Sequence, residues 1–203
     1  MCDFIKFDTK LKDPSLVEGC EVLYKNNCKV EVKYKGSLQG EIMNLTFRLI
    51  GNEHLIKLEL TSETDLFFYF IHRIDSKSFE DIKTAQNLTI DFVNYSETII
   101  KMVNSCIDSS SFSCILYING DLGVLKFFQN MDYREMELLE CAFRREDEFK
   151  TAENITYRYN YTKEILGHYK RRLEEFYTLV KRKDPQIVQN KLFGRPCPHF
   201  LPK

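Results

Sequence analysis

The first two thirds of the chain contain short segments in which apolar and polar residues alternate. Cys28, Val30 and Val32 alternate with charged residues, the segment 43–49 repeats the pattern, and turn residues follow each segment. A period of two residues predicts a half-buried β-strand. From similar patterns we predict further strands at residues 56–60, 66–72, 88–92, 114–118, 122–128 and 134–143. Short strands joined by tight turns favour an antiparallel meander over βαβ units.

Two short helices are predicted within this strand-rich region. Residues 75–78 offer N-cap side chains, and Phe79 and Ile82 follow at helical spacing. A second helix begins near Tyr95 and has one apolar face, formed by Ile99, Ile100, Val103 and Ile107. The predicted fold class is therefore mainly β with α. We expect an antiparallel β-meander with a small helical cap over one end of its sheet, followed by a C-terminal helix.

From about Thr162 the pattern changes to the period of a helix. Apolar residues are spaced by three, four, three and four positions, which is the spacing of a heptad seam. This seam consists of Leu166, Tyr169, Leu173, Phe176 and Val180. Pro185 ends the pattern, so the seam is only about two heptads long and would be marginal as an isolated coiled coil. The pattern leaves two interpretations open: a coiled-coil interface, or a surface helix whose stripe packs on its own domain.

These patterns divide the chain into five zones. We predict an extended lead-in at 1–19, a β head domain at 20–146, a charged linker at 147–161, the start of a coiled-coil helix at 162–184 and an irregular tail at 185–203. The head is long enough to bury a hydrophobic core of its own. The helix is then an appendage to that domain.

The composition is that of a globular protein, with 43% hydrophobic residues in 203. The formal net charge of -1 gives no electrostatic reason to expect nucleic-acid or membrane binding over the whole body. Basic clusters at 170–172 and 181–183 could bind phosphates, but solvation of the helix explains them better. The longest apolar run, 66–71, is too short to span a membrane. We therefore expect neither a membrane nor a nucleic acid as a partner.

The seven cysteines are odd in number and irregularly spaced. A secreted disulfide scaffold usually has an even number, and the N-terminus does not resemble a signal peptide. We therefore expect free thiols in a reducing compartment, which predicts a cytoplasmic location.

The sequence contains no pattern typical of a catalytic or metal site. None of the four histidines lies four positions from another, and Cys197-Pro198-His199 lacks further ligands. The stretch 120–123 is better explained as a turn between strands than as a phosphate loop. We therefore predict that the protein is not an enzyme and has no cofactor, no metal site and no small-molecule substrate.

An ordered series of motifs in the middle of the chain is more specific. Residues 60–68 read LTSETDLFF, residues 75–83 read DSKSFEDIK, and residues 86–92 read QNLTIDF. In this order and spacing they resemble the head domain of the spindle assembly abnormal protein six family, the centriolar cartwheel proteins. The resemblance covers roughly residues 22–143 and is strongest over 58–106.

The resemblance implies an antiparallel β-sandwich or barrel-like head with a small helical cap, followed by a C-terminal helix that forms a short coiled coil. It also implies a structural protein that associates with itself in two ways. Members of this family pair their C-terminal helices in a parallel coiled coil. Their heads pair through a hairpin whose apolar tip residue inserts into a pocket on the neighbouring head. Two different interfaces on one subunit lead to closed rings, which in this family build the cartwheel. The expected partners are therefore further copies of the chain and other centriolar proteins, at the centriole or basal body of the cytoskeleton.

The hairpin that the resemblance implies lies at residues 129–133. Its candidate contact residues are Asn130, Met131, Asp132 and Tyr133. The family commonly has phenylalanine at the tip, whereas here either Tyr133 or Met131 could be the inserted residue. We favour Tyr133, because an aromatic ring buries more area and keeps a polar group for the pocket rim.

Two other functions remain open at this stage. DNA-end-joining scaffold proteins also combine a β head with a dimeric coil, and the basic clusters near the C-terminus fit a protein of that kind. A non-assembling adaptor, in which the hairpin tip is only solvated, is the other alternative. The loss of heptads at Pro185 also leaves open a shorter cartwheel-like branch of the family, which lacks the coil.

Overall fold

The computed structural model describes residues 11–16, 19–37 and 39–183, which form seven strands and three helices. The strands are β1 (Glu21–Tyr34), β2 (Glu41–Gly51), β3 (Leu55–Ser62), β4 (Tyr69–Asp75), β5 (Phe112–Asn119), β6 (Leu122–Met131) and β7 (Arg134–Arg145). The helices are α1 (Ser76–Gln86), α2 (Phe92–Asp108) and α3 (Glu148–Lys183). The predicted fold class, mainly β with α, is confirmed.

The strands form a closed barrel in the order β1-β2-β3-β4-β7-β6-β5. Among the described residues, neighbouring strands pair antiparallel except β1 with β5, which pair in parallel and close the barrel. The predicted antiparallel meander is therefore correct within β1–β4 and within β5–β7. The prediction did not include the parallel pairing of β1 with β5. Parallel strands are joined by a long connection and not by a tight turn, so no turn in the sequence marks their contact.

The two short helices form the predicted helical cap and share the hydrophobic core of the strands. Phe79 of α1 and Tyr95 of α2 are fully buried, and their ring centroids lie 5.0 Å apart. α1 begins after the N-cap residue Asp75, whose carboxylate accepts hydrogen bonds from the backbone N–H groups of Lys77 and Ser78. The N-cap predicted at 75–78 is therefore confirmed.

A buried chain of hydrogen bonds connects α2 with β4 and β7. His72 Nδ1 lies 2.7 Å from the carbonyl oxygen of Ala142, and His72 Nε2 lies 3.1 Å from the Tyr95 hydroxyl. Because a carbonyl only accepts, Nδ1 carries the proton and Nε2 accepts from Tyr95. The Cys141 thiol then donates to the Tyr95 oxygen at 3.5 Å. Burial lowers the pKa of His72 and raises the pKa of Cys141 to about 12, which keeps both groups neutral.

The strand predicted at 88–92 is wrong. Residues 87–91 connect α1 to α2, and Phe92 is the first residue of α2. Leu88 and Ile90 both pack against the core, which produces the alternation in the sequence. Two core contacts of a short connection therefore imitate the period of a strand.

The charged linker predicted at 147–161 is also wrong, because α3 begins at Glu148. Asp147 supplies the N-terminal signal: its carboxylate accepts the Lys150 N–H at 2.9 Å, and its carbonyl accepts the Thr151 N–H at 3.0 Å. The hydrogen bond from Lys150 lowers the pKa of Asp147. The negative charges of Asp147 and Glu148 stabilise the N-terminal end of the helix dipole. In the sequence alone, the same residues are equally typical of a solvent-exposed charged loop.

The chain divides into two compact units. One unit is 13–156, which holds the barrel, the cap and the first turns of α3, and the other consists of 157–203 together with 1–12. The head therefore extends further at both ends than the predicted 20–146. The predicted tail at 185–203, and all of the lead-in at 1–19 except 11–16 and Gly19, lie outside the described residues.

A buried polar cluster accounts for the larger head unit. Asp13 forms an ion pair with Arg48 of β2, and Asn154 of α3 donates to the Ser15 hydroxyl at 3.2 Å. Glu59 of β3 accepts the Tyr69 hydroxyl at 2.7 Å and is only 1% exposed. Segments that sequence analysis placed outside the head thus satisfy buried polar groups of the barrel.

Candidate self-association surfaces

The first candidate surface is the tip of the hairpin formed by β6 and β7. The two strands pair continuously as far as Met131, so only Asp132 and Tyr133 form the turn. The five-residue loop predicted at 129–133 is therefore wrong, since 129–131 belong to β6. Polar side chains at the end of this strand hide its backbone pairing from a search for apolar alternation.

A β-bulge sets the direction of the outer part of this hairpin. The pairing register shifts between Phe127 and Phe128, so β7 contributes one extra residue there. Such a bulge bends a strand and increases its local twist. Lys126 holds the bulged region with ion pairs to Glu140 at 2.8 Å and to Glu137 at 3.0 Å, and these partners raise its pKa.

The outermost turn of the hairpin extends past the barrel wall. The last pairs between β5 and β6 include Phe112 opposite Gln129, and the Asn130 N–H donates to the Ser111 carbonyl at 2.7 Å. Beyond Asn130 the described pairing is only that of β6 with β7. The tip is therefore a two-stranded ribbon with a barrel as its support.

All four predicted contact residues lie together at this tip. Tyr133 is 100% exposed and Met131 is 44% exposed, while Asn130 and Asp132 are exposed polar neighbours. A single exposed apolar residue is common on protein surfaces and does not by itself mark an interface. An aromatic ring at a hairpin turn does provide an anchor that can enter a pocket with little loss of conformational entropy.

The second candidate surface is the heptad seam of α3. Leu166, Tyr169, Leu173 and Phe176 are between 48% and 66% exposed, and Val180 is partly exposed. The seam is therefore largely exposed in the single chain, and its use as a coiled-coil interface stays a prediction. A row of large apolar side chains that stays exposed on a helix is typical of a surface for another helix.

The seam continues further toward the N-terminus than the sequence prediction. Counting back from Leu166 at the same alternating spacing gives Thr162, Tyr159, Ile155 and Ala152, all of which lie in α3. Tyr159 is 65% exposed and Ile155 is half-buried. The seam is then about four heptads long. Sequence analysis missed Ile155 and Tyr159 because it treated this segment as a linker, although continuing the spacing backward would have found them.

The part of the chain that the structure describes also bears on two other kinds of site. No group of three or more His, Cys, Asp or Glu side chains in that part could hold a metal ion. None of its helices combines the length and the apolar character needed to cross a membrane. The sequence Cys197-Pro198-His199 lies outside the described residues.

Comparison with protein families gives one match that covers most of the head. The model of the family described as the centriolar protein SAS N-terminal domain matches residues 22–143. A curated Drosophila melanogaster protein, spindle assembly abnormal protein 6 homolog, is 32% identical over 54 residues. That match spans 27% of this chain and 11% of the Drosophila protein.

Comparison with solved structures gives matches that include the helix. An N-terminal fragment of Leishmania SAS-6 containing parts of its coiled coil domain matches with a TM-score of 0.74 and 15% identity, over 83% of this chain and 99% of that chain. An N-terminal fragment of Drosophila melanogaster Sas-6, dimerised via the coiled-coil domain, matches with a TM-score of 0.67 and 15% identity, over 90% of this chain and 91% of that chain. At these identities the likeness shows a shared fold.

Proposed function

Because the chain belongs to the family of the centriolar protein SAS N-terminal domain, we propose that it is a scaffold that associates with itself to build the cartwheel of a centriole or basal body. The family match confirms the resemblance carried by the motifs at 60–68, 75–83 and 86–92. The same family name belongs to the curated relative and to the structures that share the fold. The match also favours this function over that of a DNA-end-joining scaffold.

The observation that supports the proposal best is the presence of two separate apolar surfaces on one chain of this family. One surface is the hairpin tip with Tyr133, and the other is the seam of α3. A subunit with two different contact surfaces assembles beyond a dimer, and it forms a ring when the rotation between subunits closes. A non-assembling adaptor would need neither surface to be exposed.

Each surface has its own role in the proposed assembly. The α3 helices of two chains pair in parallel along the seam, a role supported by the similar Drosophila fragment, which is dimerised via its coiled-coil domain. The hairpin tip contacts a pocket on the head of a neighbouring chain, with Tyr133 as the inserted residue and Met131 beside it. Because a hairpin tip is a small interface, the head contact is weak, with a dissociation constant of about 1 µM or higher.

The proposed role is structural and not enzymatic. Its partners are further copies of this chain and other centriolar proteins, and its location is the centriole, the basal body or a related structure of the cytoskeleton. The described residues that carry it are surface side chains of β6, β7 and α3. No bound cofactor or small molecule is needed for these contacts.

Sedimentation velocity over a wide concentration range tests the proposal with four proteins. These are the wild type, Tyr133→Glu, the double variant Leu173→Asp/Phe176→Asp, and the variant that combines all three changes. The wild type should form species larger than dimers as concentration rises. Each surface variant should stop at dimers, and the combined variant should be monomeric.

A matched control keeps this experiment specific to the tip. Leu122 is 56% exposed at the other end of strand β6, so Leu122→Glu adds the same charge to the same hairpin. This control should assemble like the wild type. If the wild type stays a monomer or a single dimer at every concentration, the scaffold function is wrong and an adaptor becomes the better explanation.

A further inference from the structure

Helix α3 has a second row of side chains, which is turned away from the seam. Counted from Asn154 in steps of three or four positions, this row consists of Tyr157, Tyr161, Ile165 and His168. Residues at this spacing share one face of a helix. The proposed association surfaces use none of these residues. We call the four residues the back face of α3.

The back face is covered more than the seam in the single chain. Tyr157 and Tyr161 are partly buried, whereas the seam residues Tyr159 and Tyr169 are 65% and 48% exposed. The rings of Tyr157 and Tyr161 lie against each other, with their centroids 5.9 Å apart. This contact hides only one side of each ring, so a further cover is needed to account for the burial of both tyrosines.

The N-terminal part of the chain is anchored at the start of the back face. Asn154 donates to the Ser15 hydroxyl at 3.2 Å, and that hydroxyl lies 3.3 Å from the Tyr69 oxygen. Because the Tyr69 hydroxyl donates to Glu59, its oxygen accepts from Ser15. Lys57 also donates to the Ser15 carbonyl at 3.3 Å. Ser15 is therefore held between the barrel wall and the second turn of α3.

Residues 1–10, which precede this anchor, have the composition of a cover for the back face. They include three large apolar side chains, those of Phe4, Ile5 and Phe7. They also belong to the compact unit that contains residues 157–203. Packing of apolar side chains against a tyrosine-rich face removes both from water, which is favourable.

The length of this segment is sufficient for such a contact. His168 lies fourteen residues after Asn154, which is about 21 Å along the helix axis. Phe7 lies eight residues before Ser15, and an extended chain of that length spans up to about 26 Å. A chain that leaves the anchor at Ser15 can therefore bring its apolar side chains to any residue of the back face.

We propose that the back face of α3 is a docking surface for residues 1–10 of the same chain. The three apolar side chains of this segment pack against Tyr157, Tyr161 and Ile165. The contact lies within one chain, so it does not require self-association.

The contact has one consequence that rests on the proposed function. A helix with two uncovered apolar faces can associate through either of them, which permits several kinds of oligomer. Residues 1–10 cover the back face and leave the seam for the partner helix. The segment thereby favours a two-helix pair over larger helix assemblies.

Nitration of tyrosines by tetranitromethane tests the contact in the full chain. The background is the variant that combines the changes at both association surfaces, so that self-association protects no tyrosine. In this background, serine at the three apolar positions of residues 1–10 should make nitration of Tyr157 and Tyr161 at least about tenfold faster, because the cover is lost. Nitration of Tyr159 should change less than about twofold, since the seam is already exposed. The tryptic peptides 151–158 and 159–163 carry these tyrosines, and fragmentation separates Tyr159 from Tyr161.

A matched variant controls for changes in the segment itself. Lys6→Ser/Asp8→Ser/Lys10→Ser replaces three polar residues of the same segment and should leave all three nitration rates unchanged. Equal rates for Tyr157 and Tyr161 with and without the apolar residues would overturn the proposal. Protection that increases with protein concentration would overturn it too, because the segment would then come from a second copy.

The reciprocal experiment changes the back face and observes the segment. In the same background, Tyr161→Ser/Ile165→Ser should speed cleavage by trypsin after Lys6 and Lys10 at least about fivefold, whereas Tyr159→Ser should not. Unchanged cleavage after both lysines would contradict the proposal. Self-association of the wild type is measured separately by sedimentation, so a failure of the scaffold function leaves both results interpretable.

Discussion

The hairpin tip and the α3 seam both expose apolar side chains, but the molecule supports them in different ways. The tip presents one fully exposed aromatic ring, Tyr133, on strands held by the barrel and by the ion pairs of Lys126. The seam repeats apolar residues over many turns of the helix α3. The tip is therefore a small surface on a preorganised support, and the seam is a longer row of exposed apolar side chains along one helix.

This difference predicts two interfaces of unequal strength. A small interface has few apolar contacts with which to offset the entropy lost on association, even when it is preorganised. A coiled-coil seam adds contacts with every heptad, so its strength grows with its length. If the proposed function is correct, dimers form first through α3, and the heads then join these dimers.

The largest effect is expected from charges in the middle of the seam. Leu173→Asp/Phe176→Asp places two carboxylates where the proposed dimer excludes water, and an unpaired buried charge costs about 3 kcal/mol or more. The dissociation constant of the α3 dimer should therefore rise by at least about a hundredfold. Sedimentation equilibrium in the Tyr133→Glu background measures this dimer without the head contact.

The same background supplies a control for the seam. Thr178 lies on the opposite face of α3 from Leu173 and Phe176, so Thr178→Asp adds a carboxylate outside the seam. It should change the dissociation constant less than about twofold, since exposed charges contribute little. If Thr178→Asp weakens the dimer as much as Leu173→Asp/Phe176→Asp does, the dimer uses a different face of the helix.

A smaller effect is expected at the hairpin tip. In the Leu173→Asp/Phe176→Asp background, Tyr133→Glu should weaken head association by about thirtyfold or more, the size of one interface anchor of about 2 kcal/mol. The melting temperature should not change, because Tyr133 is 100% exposed in the single chain. Sedimentation velocity and thermal unfolding measure the two quantities.

Two more substitutions separate the roles of Tyr133 and Met131. Tyr133→Phe keeps the ring and should retain most of the head affinity, whereas Met131→Ala removes only a flanking side chain and should cost less than Tyr133→Glu. If Met131→Ala causes the larger loss, Met131 is the inserted residue. A nanomolar head dimer in any of these proteins would contradict the idea of a small interface.

A third prediction uses pH to affect the barrel that supports the tip. Burial lowers the pKa of His72, so the folded barrel keeps His72 neutral while an unfolded chain gains a proton below about pH 6.5. The free energy of unfolding should therefore be constant above that pH and fall below it, by up to about 1.4 kcal/mol per pH unit. The loss continues until the pH reaches the lowered pKa. Urea unfolding at a series of pH values measures the slope.

Substitution of histidines identifies the group responsible for this slope. His72→Gln offers one donor for the Ala142 carbonyl and one acceptor for the Tyr95 hydroxyl, but it cannot titrate. The part of the slope due to His72 should disappear in this variant. His54→Gln, at an exposed turn position, should leave the slope as it is in the wild type. An unchanged slope in His72→Gln would assign the pH dependence to other groups.

The part of the fold that could be predicted from the sequence is the part set by local periodicity. Alternation around Val30 and Val32 and the N-cap at Asp75 each report on a neighbourhood of a few residues. The parallel contact of β1 with β5 joins residues about eighty positions apart, and the bulge between Phe127 and Phe128 depends on the partner strand. Such non-local features have no local pattern from which to predict them.

The candidate surfaces show the same limit. The positions of Tyr133 and of the seam from Leu166 to Val180 follow from turn residues and heptad spacing. The length of the seam could not be predicted from the sequence, because Glu148 and its charged neighbours are typical of both a helix N-terminus and a solvent-exposed loop. The structure shows that α3 begins at Glu148 and that Asn154, in its second turn, donates a hydrogen bond to the Ser15 hydroxyl.

The smallest effect is expected at the part of the seam that sequence analysis missed. Tyr159→Ala should weaken the α3 dimer by about fivefold, or about 1 kcal/mol, if Tyr159 occupies the same face as Leu166. Tyr161→Ala is the matched control, since Tyr161 lies between the seam positions Tyr159 and Thr162 but faces away from the seam, and it undergoes the same change in helix propensity. Sedimentation equilibrium in the Tyr133→Glu background compares the two. If Tyr159→Ala and Tyr161→Ala weaken the dimer equally, the seam starts at Leu166, and the dimer depends on the shorter stretch that the sequence predicts.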